Sequence, residues 1–220
     1  GVLFTRGDRI IVGLILGAER LGIYSIVSDI ASGINFIVNQ PLQPLLPAVS
    51  GFSSFSLDPL QNKLRRLVQL NSCMASWSGS LVLILSPFAI KFAIPLDLVA
   101  QATALRCVLL LSVITVVQSL CNVGYYLLMA NDVTYLTSLL FTCGSLSLVL
   151  IYLGSLKFGL IGAIIGNLFF SMMIICTSIS LQKYWIKYVS SIFLLTAPIS
   201  LFLLICFLNF SFFFFKKPLP

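Results

Sequence analysis

The sequence predicts an all-α integral membrane protein with six or seven transmembrane helices. Hydrophobic residues make up 59% of the 220 residues and charged residues only 9%, whereas a soluble domain carries about 25% charged residues. Because so few polar residues cannot cover a globule in water, lipid is the predicted solvent. The apolar runs do not alternate with period two, as the strands of a membrane β-barrel would, and this favours helices.

Uncharged runs separated by turn signals define the predicted spans. A short, partial helix is predicted over about 1–17, and complete spans are predicted over about 21–47, 66–90, 102–128, 133–155, 159–181 and 189–212. Each complete span is long enough to cross a bilayer as a tilted helix. The turn signals are GAERLG at 17–22, SGFSSFSLDP at 50–59, IPLD at 94–97, MAND at 129–132 and GSLKFG at 154–159.

The basic residues predict which loops are cytoplasmic. The net charge is +7, and Lys and Arg are enriched in cytoplasmic loops of membrane proteins. The loop at 50–66 and the loop near 182–188 carry basic residues and are predicted to share the cytoplasmic side, whereas the loops at 91–97 and 154–159 are predicted to face outward. The chain begins with Gly1 and the first helix is partial, so we expect an N-terminal part of the protein to be missing.

Prolines interrupt the end of the second predicted helix. Pro41, Pro44 and Pro47 each remove a backbone donor and disfavour a straight helix. In lipid the freed carbonyls need partners from protein or water. We therefore expect this part of the helix to be kinked or unwound and to face the interior of a bundle.

Three charges lie in the first predicted helix: Arg6, Asp8 and Arg9. Each costs about 2.5–3.5 kcal/mol at the centre of a membrane helix, and the nine apolar residues that follow return only roughly 3–5 kcal/mol together. The charges are therefore predicted to lie near an interface or to face a wet cavity. Arg6 and Arg9 are three residues apart and share a helical face, and Asp8 is predicted to partner one of them.

The order of these features resembles a known family of transporters. The stretch GDRIIVGLILGAERLGIYSIVSDIASGINFIVNQPLQPLLPAVS resembles the seventh and eighth helices of polysaccharide flippases of the multidrug/oligosaccharidyl-lipid/polysaccharide superfamily. The stretch ALRCVLLLSVITVVQSLCNVGYYLLMAND resembles the tenth helix of that family, and GLIGAIIGNL resembles the start of the twelfth.

The resemblance implies both an architecture and a function. Residues 1–220 would form the C-terminal lobe of a two-lobed alternating-access transporter in the bacterial cytoplasmic (inner) membrane, and the missing N-terminal lobe would be its partner. The substrate would be an undecaprenyl-pyrophosphate-linked oligosaccharide repeat unit, moved for O-antigen, lipopolysaccharide or capsule export, with the polysaccharide polymerase machinery as a further partner. The family is not enzymatic and needs no cofactor beyond a coupling ion, either a proton or sodium.

Under this resemblance the charges of the first two helices become cavity candidates. Arg6 and Arg9 would bind the diphosphate, with Asp8 orienting them or moderating their charge; the alternative is a charge cluster that anchors the helix at the interface. Asp29 lies well inside the second span, where an acid is a functional hypothesis. It would carry a coupling proton or sodium ion, or it would pair with Arg6 or Arg9.

Polar residues at helical spacing give further candidates. Asn35, Asn39, Gln43 and Asn122 suit either the hydroxyls of a sugar or hydrogen bonds between helices. For the serines and threonine of the same stripes, hydrogen bonds between helices are favoured; these residues are Ser25, Ser28, Ser32, Ser72, Ser76, Ser80, Ser112, Thr115 and Ser119. GxxxG pairs at 13–17 and 162–166 predict close helix packing.

Several functions are disfavoured by what the sequence lacks. There is no histidine, no P-loop and no CxxC pair, which argues against triad catalysis, ATP hydrolysis and a metal site. The sequence has no arginine-rich run with interleaved aromatic residues, and this argues against nucleic-acid binding. A multidrug exporter of the same superfamily and a membrane-embedded glycan polymerase or ligase remain as alternatives.

Overall fold

The computed structural model describes residues 2–44, 57–94, 98–120, 122–123, 126, 134–181, 202–203 and 205–206. Its helices are α1 (Val2–Leu16), α2 (Ala18–Asn39), α3 (Leu57–Ala93), α4 (Leu98–Leu120) and α5 (Thr134–Leu181). Over these residues the chain forms helices and short turns without a strand, so the predicted all-α class is confirmed for the described part of the chain.

Four helical stretches are long and apolar enough to cross a membrane, by length and composition: Ala18–Asn39, Arg66–Ala93, Leu98–Leu120 and Gly144–Phe169. The last of these includes the non-helical residue Gly159. Their length and composition indicate a multi-pass membrane protein. The predicted span at 189–212 lies outside the described residues, apart from four helical positions between 202 and 206. The total of six or seven spans stays a prediction.

The distribution of polar and apolar side chains is that of a protein dissolved in lipid. Ser78, Ser80 and Thr115 are buried and donate hydrogen bonds to carbonyls of their own helices. In contrast, Leu14 is 82% and Phe92 is 89% exposed. In water this arrangement would leave large apolar side chains facing solvent and hydroxyl groups in the core. A lipid environment accommodates both, because it solvates the apolar surface and leaves polar groups to pair inside the bundle.

Helix α5 is a helical hairpin that reverses direction at Gly159. Gly159 has φ 63° and ψ −140°, outside the helical region. A Cβ on Gly154 would lie 2.3 Å from the carbonyl oxygen of Gly162, and one on Gly166 would lie 2.6 Å from the backbone nitrogen of Ile151. Residues this far apart in sequence touch only if the two arms run antiparallel. The turn predicted at 154–159 is confirmed, and so is close packing at Gly162 and Gly166.

Gly17 separates α1 from α2 and does not serve helix packing. Its φ of 85° lies in the left-handed region, and nothing lies within 4 Å of the position of a Cβ. The predicted GxxxG contact is therefore wrong at Gly17, because the second glycine is needed for the turn. Nη1 of Arg20 lies 3.6 Å from the Cβ position of Gly159, so this turn and the tip of the α5 hairpin occupy the same end of the bundle.

Helix α2 ends earlier than the sequence predicts. The span predicted to reach residue 47 ends at Asn39, and residues 40–44 form turns. Unwinding at the prolines is thus confirmed for this segment. Pro41 and Pro44 are exposed, however, and only Leu42 between them is buried, so the expected interior position of the prolines is wrong. Pro47 lies outside the described residues.

Helix α3 begins at Leu57, inside the segment predicted to be a loop up to residue 66, and it accommodates Pro87 in its interior. Pro87 has no N–H to offer the carbonyl of Leu83, one turn earlier. The hydroxyl of Ser86 donates a hydrogen bond of 3.1 Å to that same carbonyl. The helix therefore continues through the proline without losing this partner, which matters most in lipid.

The helices pack so that four of them meet around one interior space. Helix α1 packs against α2 and α5, α2 packs against α3 and α4, and α4 packs against α3 and α5.

Cys107 is buried and Cys73 and Cys206 are partly buried, and all three are free thiols, as expected for small apolar side chains.

Candidate functional site

A polar cavity of about 430 Å³ lies between α1, α2, α4 and α5. This volume falls in the range of small-ligand sites, about 300–1,000 Å³. Nine of the fourteen residues that line it are polar or charged, although the outer surface of the bundle is apolar. The lining residues are Asp8, Arg9, Ser28, Ala31, Ser32, Asn35, Leu111, Ile114, Thr115, Gln118, Ser147, Leu148, Ile151 and Asn167.

The positive charge of this cavity belongs to Arg9, which is paired with Asp29 of the neighbouring helix. Nη2 of Arg9 donates a hydrogen bond to Oδ1 of Asp29, and the two groups form a salt bridge. The Arg9 side chain is 32% exposed and that of Asp29 is 66% exposed. Of the two roles predicted for Asp29, the structure shows the pairing with Arg9.

Asp8 is held by a different set of groups. The hydroxyl of Tyr24 donates to Oδ2 of Asp8 at 2.8 Å, and the backbone N–H of Arg9 donates to Oδ1 at 2.8 Å. The predicted pairing of Asp8 with an arginine side chain is therefore wrong within the described residues. The amide nitrogen of Asn167 donates to the Tyr24 hydroxyl at 3.0 Å. This chain of hydrogen bonds joins α1, α2 and the second arm of α5.

Arg9 lies in the wall of the cavity. It precedes the turn at Gly17 by roughly two helical turns, or about 12 Å at 1.5 Å per residue. The sequence predicts either a wet cavity or the membrane interface for this charge, and both stay predictions.

The polar residues of α2 and α4 meet in a row of hydrogen bonds. The hydroxyl of Ser119 donates to Oδ1 of Asn35 at 2.7 Å, and Nδ2 of Asn122 donates to Oδ1 of Asn39 at 2.7 Å. Both pairs have nearly the same separation in sequence, so the two helices run parallel. Asn39 and Asn122 thus serve the contact between helices, whereas Asn35 serves the contact and also lines the cavity.

Five of the eight predicted site residues are not among the residues that line the cavity: Arg6, Asp29, Asn39, Gln43 and Asn122. Arg6 is exposed and is not part of the lining, although it was predicted to share the face of Arg9. Side chains three positions apart on a helix differ by about 60° in direction, and the edge of the cavity falls between the two arginines. Gln43 is exposed in the turns after α2 and does not line the cavity either.

Three polar residues in or next to the cavity carry no role in the sequence-based predictions: Tyr24, Gln118 and Asn167. Tyr24 is buried with its hydroxyl on Asp8, and Gln118 and Asn167 line the cavity. Each is a polar residue within an apolar run, which is the signal that could have identified it. Gln118 has no hydrogen-bond partner among the described residues, so its amide is available to a ligand.

Glu19 and Arg20 lie outside the cavity. Both are exposed in the first turn of α2, as expected for a solvated pair, and Glu19 is favourably placed near a helix N-terminus. Among the described residues, no three Cys, Asp or Glu side chains come together in a way that could hold a metal ion.

Comparison with family models, with characterised proteins and with solved structures returned no match.

Proposed function

We propose that this chain is part of a transporter that moves an undecaprenyl-pyrophosphate-linked oligosaccharide repeat unit across the bacterial cytoplasmic membrane. The observation that carries the proposal is the polar cavity with Arg9 in its wall, enclosed by helices whose outer surface is apolar. A polar, anionic head group needs such a path, while its lipid tail can stay in the bilayer. The resemblance to polysaccharide flippases supplies the specific substrate.

The cavity offers two kinds of recognition. The Arg9 guanidinium suits a diphosphate, because its N–H groups form a fork that matches phosphate oxygens. Hydroxyl and amide groups suit sugar hydroxyls, which both donate and accept hydrogen bonds. The hydroxyls of Ser32 and Ser147 donate to carbonyls of their own helices at 2.9 and 2.7 Å, which leaves their oxygen lone pairs as acceptors.

A cation exporter of the same superfamily is the second candidate. Two carboxylates lie next to Arg9: Asp29 pairs with its guanidinium, and Asp8 accepts a hydrogen bond from its backbone N–H. An excess of acids would favour a cationic drug. The oligosaccharide proposal is better supported because both acids already have a partner in the protein. Asp29 forms a salt bridge with Arg9, and Asp8 accepts a hydrogen bond from the hydroxyl of Tyr24. In this proposal the substrate cavity is completed by an N-terminal lobe.

The test is complementation of a bacterial strain that lacks its repeat-unit flippase, with surface polysaccharide as the readout. The wild-type protein should restore export. Arg9→Ala should lower export about 10- to 100-fold, because a hydrogen bond to a charged group contributes about 1.5–3 kcal/mol. Arg20→Ala is the matched control: it removes an equal charge from an exposed position outside the cavity and should export normally at equal expression.

Two outcomes would contradict the proposal. One is rescue of a polymerase-deficient strain without rescue of the flippase defect, which would favour a glycan polymerase. The other is resistance to cationic drugs without restored polysaccharide, which would favour the cation exporter. Equal export by Arg9→Ala and Arg20→Ala would remove Arg9 from the site.

A further inference from the structure

The Arg9–Asp29 pair differs from a structural salt bridge in how much of each group remains free. The contact joins one guanidinium nitrogen, Nη2, to one carboxylate oxygen, Oδ1. Asp29 is 66% exposed, and its carboxylate has no second hydrogen-bond partner among the described residues. Among the described residues, the carboxylate can therefore leave the arginine without losing any other partner.

Asp8 has none of this freedom. Each of its carboxylate oxygens already accepts a hydrogen bond at 2.8 Å, one from Tyr24 and one from the backbone of Arg9. Tyr24 is 1% exposed and is itself held by Asn167. The two acids beside Arg9 are thus unlike: Asp8 is fixed in place, and Asp29 is held by the guanidinium alone.

We propose that Asp29 is a built-in competitor for the phosphate-binding arginine, which it occupies in the empty site and takes back when the ligand leaves. The inference rests on the proposed function, since it assigns Arg9 to a phosphate-bearing ligand. It gives Asp29 a role in setting affinity and release, distinct from that of a coupling-ion carrier.

A phosphate group is the ligand best able to displace Asp29. The guanidinium can form two parallel hydrogen bonds to a phosphate, whereas Asp29 uses only one of its nitrogens. A diphosphate also brings more negative charge than a carboxylate. The exchange replaces one ion pair by another, so the guanidinium is never left unpaired within the helical bundle, where an isolated charge is costly.

The exchange also serves transport. A carrier that binds its ligand too tightly in the ground state raises its own barrier to the next step. An acid tethered next to the arginine has a high effective concentration and can recapture it as the ligand departs. Removal of the acid should therefore increase affinity and decrease export at the same time.

The experiment measures the binding of inorganic pyrophosphate to the full chain in nanodiscs, alongside polysaccharide export in the complemented strain. Asp29→Asn should bind pyrophosphate about fivefold more tightly, equivalent to about 1 kcal/mol at 1.4 kcal/mol per tenfold, and should export less than wild type. Asp29→Glu keeps the carboxylate and should stay close to wild-type affinity. Glu19→Gln removes an equal charge from the exposed start of the same helix and should leave both readouts unchanged.

The outcomes separate this inference from the proposed function. Weaker or unchanged pyrophosphate binding by Asp29→Asn would overturn the competitor role and would make the pair structural. An equal gain in affinity for Glu19→Gln would also overturn it, because the effect would then be general charge. If the expected binding pattern holds but the wild-type protein fails to restore export, the exchange stands and the oligosaccharide substrate is wrong.

Discussion

At the scale of single residues, Tyr24 holds more of the site together than any side chain that the sequence pattern selects. Its hydroxyl donates to Asp8 and accepts from Asn167, so one oxygen connects three helical segments. The ring is buried in the core with Val27 and Ile34 of the same helix. Position and chemistry are thus fixed together, which explains why Asp8 does not turn toward an arginine.

Replacement of Tyr24 by Phe tests this connection. The ring would still fill its space, but Asp8 and Asn167 would each lose a hydrogen-bond partner at the buried position of the Tyr24 hydroxyl. We expect the free energy of unfolding, measured in detergent micelles, to fall by about 1–3 kcal/mol. Tyr152→Phe is the control, because Tyr152 is exposed and its change should stay within about 0.5 kcal/mol. Equal effects of the two substitutions would mean that the hydroxyl of Tyr24 contributes nothing specific.

The sequence predicted the charged residues of the site better than their pairing. Arg9, Asp8 and Asn35 were selected because charges and amides are costly in an apolar helix, and all three line the cavity. The roles of Tyr24 and Asn167 depend on contacts between residues far apart in the chain. Helical periodicity places residues on a face, but it does not show which face of another helix lies opposite.

At the scale of elements, the hairpin of α5 depends on glycines at its contact surface. The arms approach so closely that Gly154, Gly162 and Gly166 leave no room for a side chain. The sequence predicted this packing from the spacing at 162–166. It did not separate this pair from Gly13 and Gly17, because the same spacing also occurs where a glycine is needed for a turn.

Gly166→Ala should destabilise the hairpin. The added Cβ would lie 2.6 Å from the backbone nitrogen of Ile151 and 2.7 Å from its Cα, so the arms must separate. We expect a loss of about 1–3 kcal/mol of unfolding free energy, typical of overpacking. In Gly33→Ala, by contrast, the new methyl group would meet nothing within 4 Å, and the lower helix propensity of glycine predicts a gain of about 0.5–1 kcal/mol. A neutral Gly166→Ala would show that the arms are less close than described.

Helix ends illustrate a second limit of sequence-based prediction at this scale. Prolines identified the weak part of the second span, and α2 does end before them. Pro87 is tolerated inside α3, however, because Ser86 donates to the carbonyl that the proline leaves without a donor. A proline alone therefore does not determine whether a helix stops or continues, and the neighbouring hydroxyl decides it here.

At the scale of the whole molecule, the arrangement predicts water inside a bundle with a lipid-facing exterior. In a background without native cysteines, Asn35→Cys should react with a membrane-impermeant thiol reagent, because Asn35 lines the polar cavity. Ile84→Cys should resist it, since Ile84 is 57% exposed on the apolar surface of α3. Reaction is measured by mass shift in membranes. Protection at residue 35 from both sides of the membrane would mean that water does not reach the cavity.

The broad architecture could be predicted from composition, whereas the position of the cavity could not. An all-helical membrane protein could be predicted because lipid is the only solvent that suits so apolar a chain. The cavity, in contrast, forms where α1, α2, α4 and α5 converge, and no single helix carries enough of it to be recognised. The number of spans and the second lobe remain predictions.

The row of hydrogen bonds between α2 and α4 has a mechanical consequence. Two interhelical hydrogen bonds, one between Asn35 and Ser119 and one between Asn39 and Asn122, fasten these parallel helices along the same side. Any displacement of α2 should therefore carry α4 with it. The connection from α1 to α2 has no such constraint at Gly17, whose positive φ suits glycine and whose Cβ position has no neighbour within 4 Å.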